Sequence, residues 1–132
     1  MKKIVFILCF VLLFLTSCAS TPSLRIREYK SNDGFIAVAD EHGSGVEITT
    51  LKNIHFVTIN KMVYDYENDI YETEEVLYST ERISGGDSFA IKLDLQSEVP
   101  YVMIRYRIED GTYFEQYIHK SGDRLMLLER NP

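Results

Sequence analysis

Carboxylate side chains are concentrated in one short stretch of the chain. Six lie within eleven positions, and they are Asp65, Glu67, Asp69, Glu72, Glu74 and Glu75. Carboxylates at alternate positions are typical of the opening of a calcium loop, but an EF-hand starting at Asp65 requires glycine and glutamate where this chain has Ile70 and Val76. The EF-hand motif is therefore absent. We interpret residues 65–75 as a solvated acidic loop that favours solubility, with an irregular calcium site as the alternative.

Other residue types that commonly carry catalysis are scattered along the chain. His42, His55 and His119 show no metal-ligand spacing, and we expect each to have a structural role. Ser44 lies between two glycines but lacks the spacing of a nucleophile elbow. No spacing favours a particular carboxylate pair for hydrolysis. The sequence therefore predicts no catalytic, metal-binding or cofactor-binding residues, and a small hydrolase remains the alternative.

Tyrosines flank the acidic stretch at Tyr64, Tyr66, Tyr71 and Tyr78. A tyrosine ring beside a carboxylate suits recognition of a basic protein or a glycan, because the ring is rigid and has a polar tip. The simpler explanation is that tyrosine is favoured in strands. If the chain has a binding surface, residues 64–78 are the predicted place.

The elements that must position these side chains are predicted to be β-strands. From Leu24 onward, short β-prone segments are separated by turn residues at intervals of about 8–12. This spacing predicts a single all-β domain over 24–132, built as an antiparallel sandwich of about eight or nine strands. Its last hairpin resembles the closing strands of an immunoglobulin-type sandwich, and a small barrel is the second choice.

Two neighbouring segments within this domain need separate treatment. The β-prone stretch Ile54–Tyr66 is too long for one strand of a small sandwich, so we expect a bend or bulge near Asn60–Lys61. Residues 67–82 have features of both helix and strand. We interpret them as a loop to about Glu75 followed by a strand.

The best-defined unit is a hairpin between Tyr101 and His119. Glu109, Asp110 and Gly111 suit a three-residue loop that ends in a left-handed glycine. The apolar pattern then predicts that five pairs face each other: Val102–Ile118, Ile104–Gln116, Tyr106–Phe114, Arg105–Glu115 and Arg107–Tyr113.

The N-terminal segment has a different character from the rest of the chain. Lys2 and Lys3 precede the apolar run Ile4–Leu15, which small residues follow. A helix of that length reaches only about 18 Å, short of the roughly 30 Å of a bilayer core. This pattern is typical of a secretory signal rather than a membrane span.

The residues Leu15-Thr16-Ser17-Cys18 resemble the lipobox of bacterial lipoproteins. The resemblance implies that residues 1–17 are removed and that Cys18 carries acyl chains, so the protein attaches to a membrane of the bacterial envelope. Ala19 after the cysteine then implies export to the outer membrane in a cell with two membranes. Residues 18–23 form the lipidated cysteine and a short linker. Cleavage by an ordinary signal peptidase and an uncleaved anchor are the alternatives.

Charge and cysteine content limit what the mature chain can do. Without Lys2 and Lys3, 12 basic residues face 20 acidic ones, a net charge of −8. This balance argues against nucleic-acid binding and leaves membrane attachment to the acyl chains. Cys9 lies in the signal and Cys18 takes the lipid, so the domain has no thiol for catalysis, metal binding or disulfides.

Overall fold

Nine β-strands and no helix make up residues 22–129, which are the residues that the computed structural model describes. The predicted signal 1–17, the predicted lipidation site Cys18, residues 19–21 of the predicted linker and residues 130–132 lie outside this range. The all-β prediction is confirmed. The strands are β1 (Leu24–Tyr29), β2 (Phe35–Val38), β3 (Ser44–Thr50), β4 (Ile54–Asp65), β5 (Ile70–Ile83), β6 (Ser88–Leu93), β7 (Val102–Arg107), β8 (Tyr113–Ser121) and β9 (Arg124–Glu129).

The strands form a two-layer sandwich. One sheet has the order β1-β3-β6-β2 and the other has the order β5-β4-β7-β8-β9. The edge strands of one sheet lie over the edge strands of the other, since β1 contacts β9 and β2 contacts β5. The sandwich prediction is thus confirmed, and the barrel is wrong, since the described strands form two open sheets. One pair departs from the antiparallel prediction, because β2 runs parallel to β6.

The core lies between the sheets and consists mainly of branched aliphatic side chains. Alternation along each strand sends one set of side chains inward and the other set to solvent. The fully buried aliphatic members include Val46, Ile48, Ile54, Val57, Ile59, Ile91, Val102, Ile104 and Ile118. The core also holds a polar contact, in which the Tyr106 hydroxyl donates a hydrogen bond to Gln116 Oε1 at 2.5 Å. Burial raises the pKa of Tyr106 to about 12, so this hydroxyl keeps its proton at physiological pH.

The β7–β8 hairpin has the predicted register. Arg105 faces Glu115, Arg107 faces Tyr113, and Ile104 and Tyr106 face Gln116 and Phe114. The Ile108 amide donates to the Thr112 carbonyl at 3.0 Å, which closes a loop of three residues. Gly111 has the left-handed conformation, with φ of 93°. The prediction is confirmed because local turn chemistry and the apolar pattern require the same register.

The β4–β5 hairpin confirms one prediction and corrects another. The register shifts between Ile59 and Asn60 and again between Lys61 and Met62, so β4 is bulged where we expected. The predicted loop to Glu75 is wrong, because β5 already begins at Ile70. Residues 70–75 form a strand since β4 offers them a continuous pairing partner. Their glutamates are tolerated because β5 is an edge strand with exposed side chains.

The sandwich has two different ends. We call the end at which β1 begins the proximal end and the opposite end the distal end. The proximal end also holds the loops 51–53, 84–87 and 108–112. There the Ser23 carbonyl accepts a hydrogen bond from the Leu51 amide at 2.8 Å. At the distal end, the β4–β5 hairpin turns through residues 65–69, which we call the acidic tip. The 12 residues of β4 run from one end toward the other, and their bulges shorten the distance below the roughly 35 Å of a straight strand.

Candidate functional site

A cleft on the outer face of the five-stranded sheet is the main candidate site. Its volume is about 330 Å³, and it extends from the acidic tip to the end of β9. The lining residues come from both halves of the sheet, and they are Tyr64, Asp69, Tyr71, Pro100, Tyr117, Leu128 and Glu129. We call this surface the tyrosine cleft. It has an aromatic floor and two carboxylates.

Four tyrosine rings form a continuous row along the cleft. Tyr64 contacts Tyr66 edge-on with ring centroids 4.9 Å apart, and it contacts Tyr71 at 5.0 Å. Tyr71 in turn contacts Tyr117 at 4.8 Å. The ring of Tyr66 extends beyond the sheet at the acidic tip, where 77% of the residue is exposed. Such rows offer a rigid surface on which aliphatic stems, cations or sugar rings can lie.

The row is continuous because the β4–β5 hairpin coils over the sheet. Tyr71 lies on β5 and Tyr117 lies on β8, three strand spacings or about 14 Å away in a flat sheet. The two bulges of β4 increase twist and bend the hairpin, which brings these rings together. A buried cluster separate from the main core supports the row, and it consists of Tyr117 itself together with Met62 and Met103. These side chains hold the row in place from below.

The acidic tip is organised by Asp65. Its carboxylate accepts hydrogen bonds from the Glu67 amide at 2.9 Å, from the Asn68 amide at 3.2 Å and from Asn68 Nδ2 at 2.7 Å. The bonds from the Asn68 side chain and backbone lower the pKa of Asp65, so the turn is stabilised by an ionised carboxylate. Asp69 completes the turn in a left-handed conformation, with φ of 54°. This geometry places the Asp69 side chain at the rim of the tyrosine cleft.

The arrangement of the acidic side chains does not favour the calcium alternative. Both oxygens of Asp65 are engaged in the turn, and Glu74 Oε2 lies 3.7 Å from Lys61 Nζ. Across residues 22–129 the structure contains no group of three or more histidine, cysteine, aspartate or glutamate side chains placed to hold a metal ion. The carboxylates that are adjacent in sequence are distributed along a strand and a turn.

A second cleft, of about 530 Å³, lies at the distal end of the sandwich. Asp40, His42, Lys61, Asp94 and Tyr101 are among its lining residues. Asp40 Oδ1 accepts the His42 amide at 2.8 Å and Asp94 Oδ1 accepts the Gln96 amide at 2.9 Å, so both carboxylates stabilise turns.

Tyr101 is the most perturbed group of this second cleft. Burial, reinforced by the negative charges of Asp40 and Asp94, raises its pKa. Its hydroxyl oxygen accepts a hydrogen bond from the Asp94 amide at 2.7 Å. A tyrosine with a raised pKa does not ionise near neutral pH and is poorly suited to act as a general base. This cleft therefore has the composition of a hydrolytic site, but Tyr101 does not supply its general base.

The remaining residues singled out from sequence are not brought together. His42 lines the second cleft, His55 Nε2 lies 3.1 Å from Glu109 Oε1 at the proximal end, and His119 pairs with Met126. Ser44 is exposed at the first position of β3. Tyr78 departs from the predicted group of four, because its side chain packs against the main core.

Sequence reasoning missed two contributors to the outer face. Tyr117 is buried in the floor of the tyrosine cleft, although its place opposite Met103 follows from the hairpin register and could have been found. Phe56 lies at the proximal end with φ of 51° and half of its surface exposed. A left-handed phenylalanine is a rare outlier that no local pattern indicates.

Comparison with protein-family models, with curated proteins and with solved structures finds no match to this chain. Within residues 22–129 no helix is long and apolar enough to cross a bilayer.

Proposed function

We propose that this chain is a lipid-anchored protein of the bacterial cell envelope that binds a cationic segment of a partner protein in the tyrosine cleft. The observation that carries the binding role is the row of four tyrosine rings beside Asp69 and Glu129. Anchoring is supported by the resemblance of residues 15–18 to a lipobox.

The position of the cleft supports a display function. Cys18 is five residues from Ser23, so the chain between them spans at most about 17 Å. Ser23 is buried at the proximal end, whereas Tyr66 and Asp69 lie in the turn that follows the distal end of β4. An anchored chain would therefore hold the acidic tip, at one end of the cleft, away from the bilayer and accessible to other proteins, whereas Glu129 at the other end of the cleft lies nearer to Ser23.

Charge favours a cationic ligand over a neutral one. The mature chain has a net charge of −8. Two of its carboxylates, those of Glu67 and Asp69, lie in the acidic tip next to the exposed Tyr66 ring. A lysine or arginine side chain could place its aliphatic stem on a tyrosine ring and its charge near a carboxylate. Such complementarity increases the association rate and becomes weaker with added salt.

Changing the exposed part of the cleft should weaken binding without unfolding the protein. We expect the double variant Tyr66→Ser, Asp69→Asn to bind an oligolysine peptide about tenfold more weakly than the wild type, since one stacking ring and one charge are lost. Asparagine tolerates the left-handed conformation of position 69, and Tyr66 is mostly exposed, so the fold should be retained. Isothermal titration calorimetry at low salt measures the affinities.

The matched control is Asp33→Asn, which removes one exposed carboxylate from the β1–β2 connection. We expect this variant to keep the wild-type affinity, and we expect oligoglutamate and a neutral glycan to show no binding. Equal oligolysine affinities for the wild type, the double variant and the control would mean that the peptide senses only the overall negative charge. That result, or glycan binding in the cleft, would contradict the proposal.

A further inference from the structure

A second cluster on the outer face lies on the proximal side of the tyrosine cleft, since Tyr113 of this cluster and Tyr117 of the cleft are both on β8. Phe56 sits in a bulge of β4, and the guanidinium of Arg107 lies 4.5 Å from its ring centroid. The Arg105 guanidinium lies 5.1 Å from the ring of Tyr113, which is opposite Arg107 in the hairpin. We call Phe56, Arg105, Arg107 and Tyr113 the foot.

Several features of the foot are unfavourable for an isolated domain in water. Phe56 has a left-handed backbone with φ of 51°, and 51% of the residue is exposed. Tyr113 is 48% exposed. The Nε atom of Arg107 is buried and has no hydrogen-bond partner among the described residues. Strained backbone and exposed aromatic rings at one place are typical of a contact surface.

The foot lies where the chain leaves the sandwich toward the predicted anchor. Arg107 pairs with His55 next to the loop 51–53, and the Leu51 amide of that loop is bonded to Ser23. Since at most about 17 Å of chain separates Ser23 from Cys18, the proximal end of an anchored protein must stay close to the lipid headgroups. This end also has an exposed aliphatic residue, Leu51, which is 41% exposed.

The chemistry of the foot matches that of a headgroup layer. Aromatic side chains with one wet and one apolar side are enriched at membrane interfaces, and arginine binds phosphate oxygens through several donors at once. The foot combines two rings with two guanidinium groups in a chain of negative net charge, and Glu115 lies opposite Arg105 in the hairpin. We infer that the foot contacts the phospholipid headgroups of the bilayer that holds the anchor and thereby fixes the domain with its acidic tip facing away.

This inference rests on the proposed anchoring at Cys18, and one experiment separates the two. The chain has no tryptophan, so Phe56→Trp and Tyr66→Trp each introduce a single fluorescent reporter, one in the foot and one at the acidic tip. The lipidated full-length variants are purified and reconstituted into vesicles of phosphatidylglycerol and phosphatidylcholine that contain a lipid with a headgroup spin label. Sedimentation of the vesicles reports anchoring, and loss of emission reports contact with headgroups.

We expect both variants to sediment with the vesicles, Phe56→Trp to lose most of its emission and Tyr66→Trp to keep it. Adding Arg107→Gln to Phe56→Trp should reduce the quenching, and circular dichroism checks that each variant is folded. Bound protein in which Phe56→Trp is no more quenched than Tyr66→Trp would overturn the foot but leave the anchor intact. Protein that remains in the supernatant would overturn both. Emission of Phe56→Trp shifted to the blue only in native envelopes would assign the foot to a protein partner instead.

Discussion

Replacing Cys18 with alanine is expected to abolish incorporation of labelled palmitate into the protein. The sequence has two cysteines, and only Cys18 follows the branched and small residues of a lipobox. Acyl chains can be attached only through this residue if the proposed anchor is correct. Stable membrane attachment generally needs two acyl chains or an additional signal, so loss of the cysteine removes the whole anchor rather than weakening it.

Cys9→Ala is the matched control for this experiment. Cys9 lies inside the apolar run Ile4–Leu15, and alanine keeps that run apolar. Export and labelling should therefore be unchanged, as measured by the label in immunoprecipitated protein relative to total protein. Label that persists in Cys18→Ala, or that disappears in Cys9→Ala, would contradict the assignment of the acylated residue.

Gly43→Ala is expected to reduce the free energy of unfolding by about 3 kcal/mol or more. A Cβ atom at this position would lie 2.2 Å from the carbonyl oxygen of Leu93 and 2.4 Å from its carbonyl carbon, both of which are backbone atoms. The chain approaches closely here because β3 and β6 begin their pairing at Ser44 and Leu93. Since small domains are stable by only about 5–15 kcal/mol, this is a large part of the total.

The control for Gly43→Ala is Gly111→Ala in the β7–β8 loop. Gly111 has φ of 93°, and a Cβ atom there would meet no atom within 4 Å. The expected cost is only the strain of a left-handed alanine, about 1 kcal/mol. Urea denaturation of both variants compares a steric clash with backbone strain. A smaller loss for Gly43→Ala than for Gly111→Ala would show that the approach of Leu93 is looser than the structure indicates.

The parts of the fold that could be predicted depend on interactions between residues close in sequence. The hairpin between Tyr101 and His119 was predicted in register because its loop and its apolar alternation are local signals. The bulge near Asn60 followed from the length of the β-prone stretch alone. The parallel pairing of β2 with β6 could not be found in this way, since their partner residues are about 55 positions apart.

The sequence predicted which part of the chain forms the candidate site, but not all of the side chains that form it. Residues 64–78 contain three of the four rings, whereas the fourth, Tyr117, arrives from β8 through tertiary packing. The glutamates of 72–75 favoured a loop, and pairing with β4 overrides that local preference. The conformation of Phe56 was out of reach, because it is stabilised by Arg107 from another strand.

The most direct test of the anchored-protein proposal is the intact mass of the native protein extracted from envelope membranes with detergent. The proposal predicts a mature chain that begins at Cys18 and carries two or three acyl chains, with residues 1–17 absent. An unacylated chain that begins after Cys18, or a chain that retains residues 1–17, would contradict it. Either result would also remove the reason for orienting the acidic tip away from a bilayer.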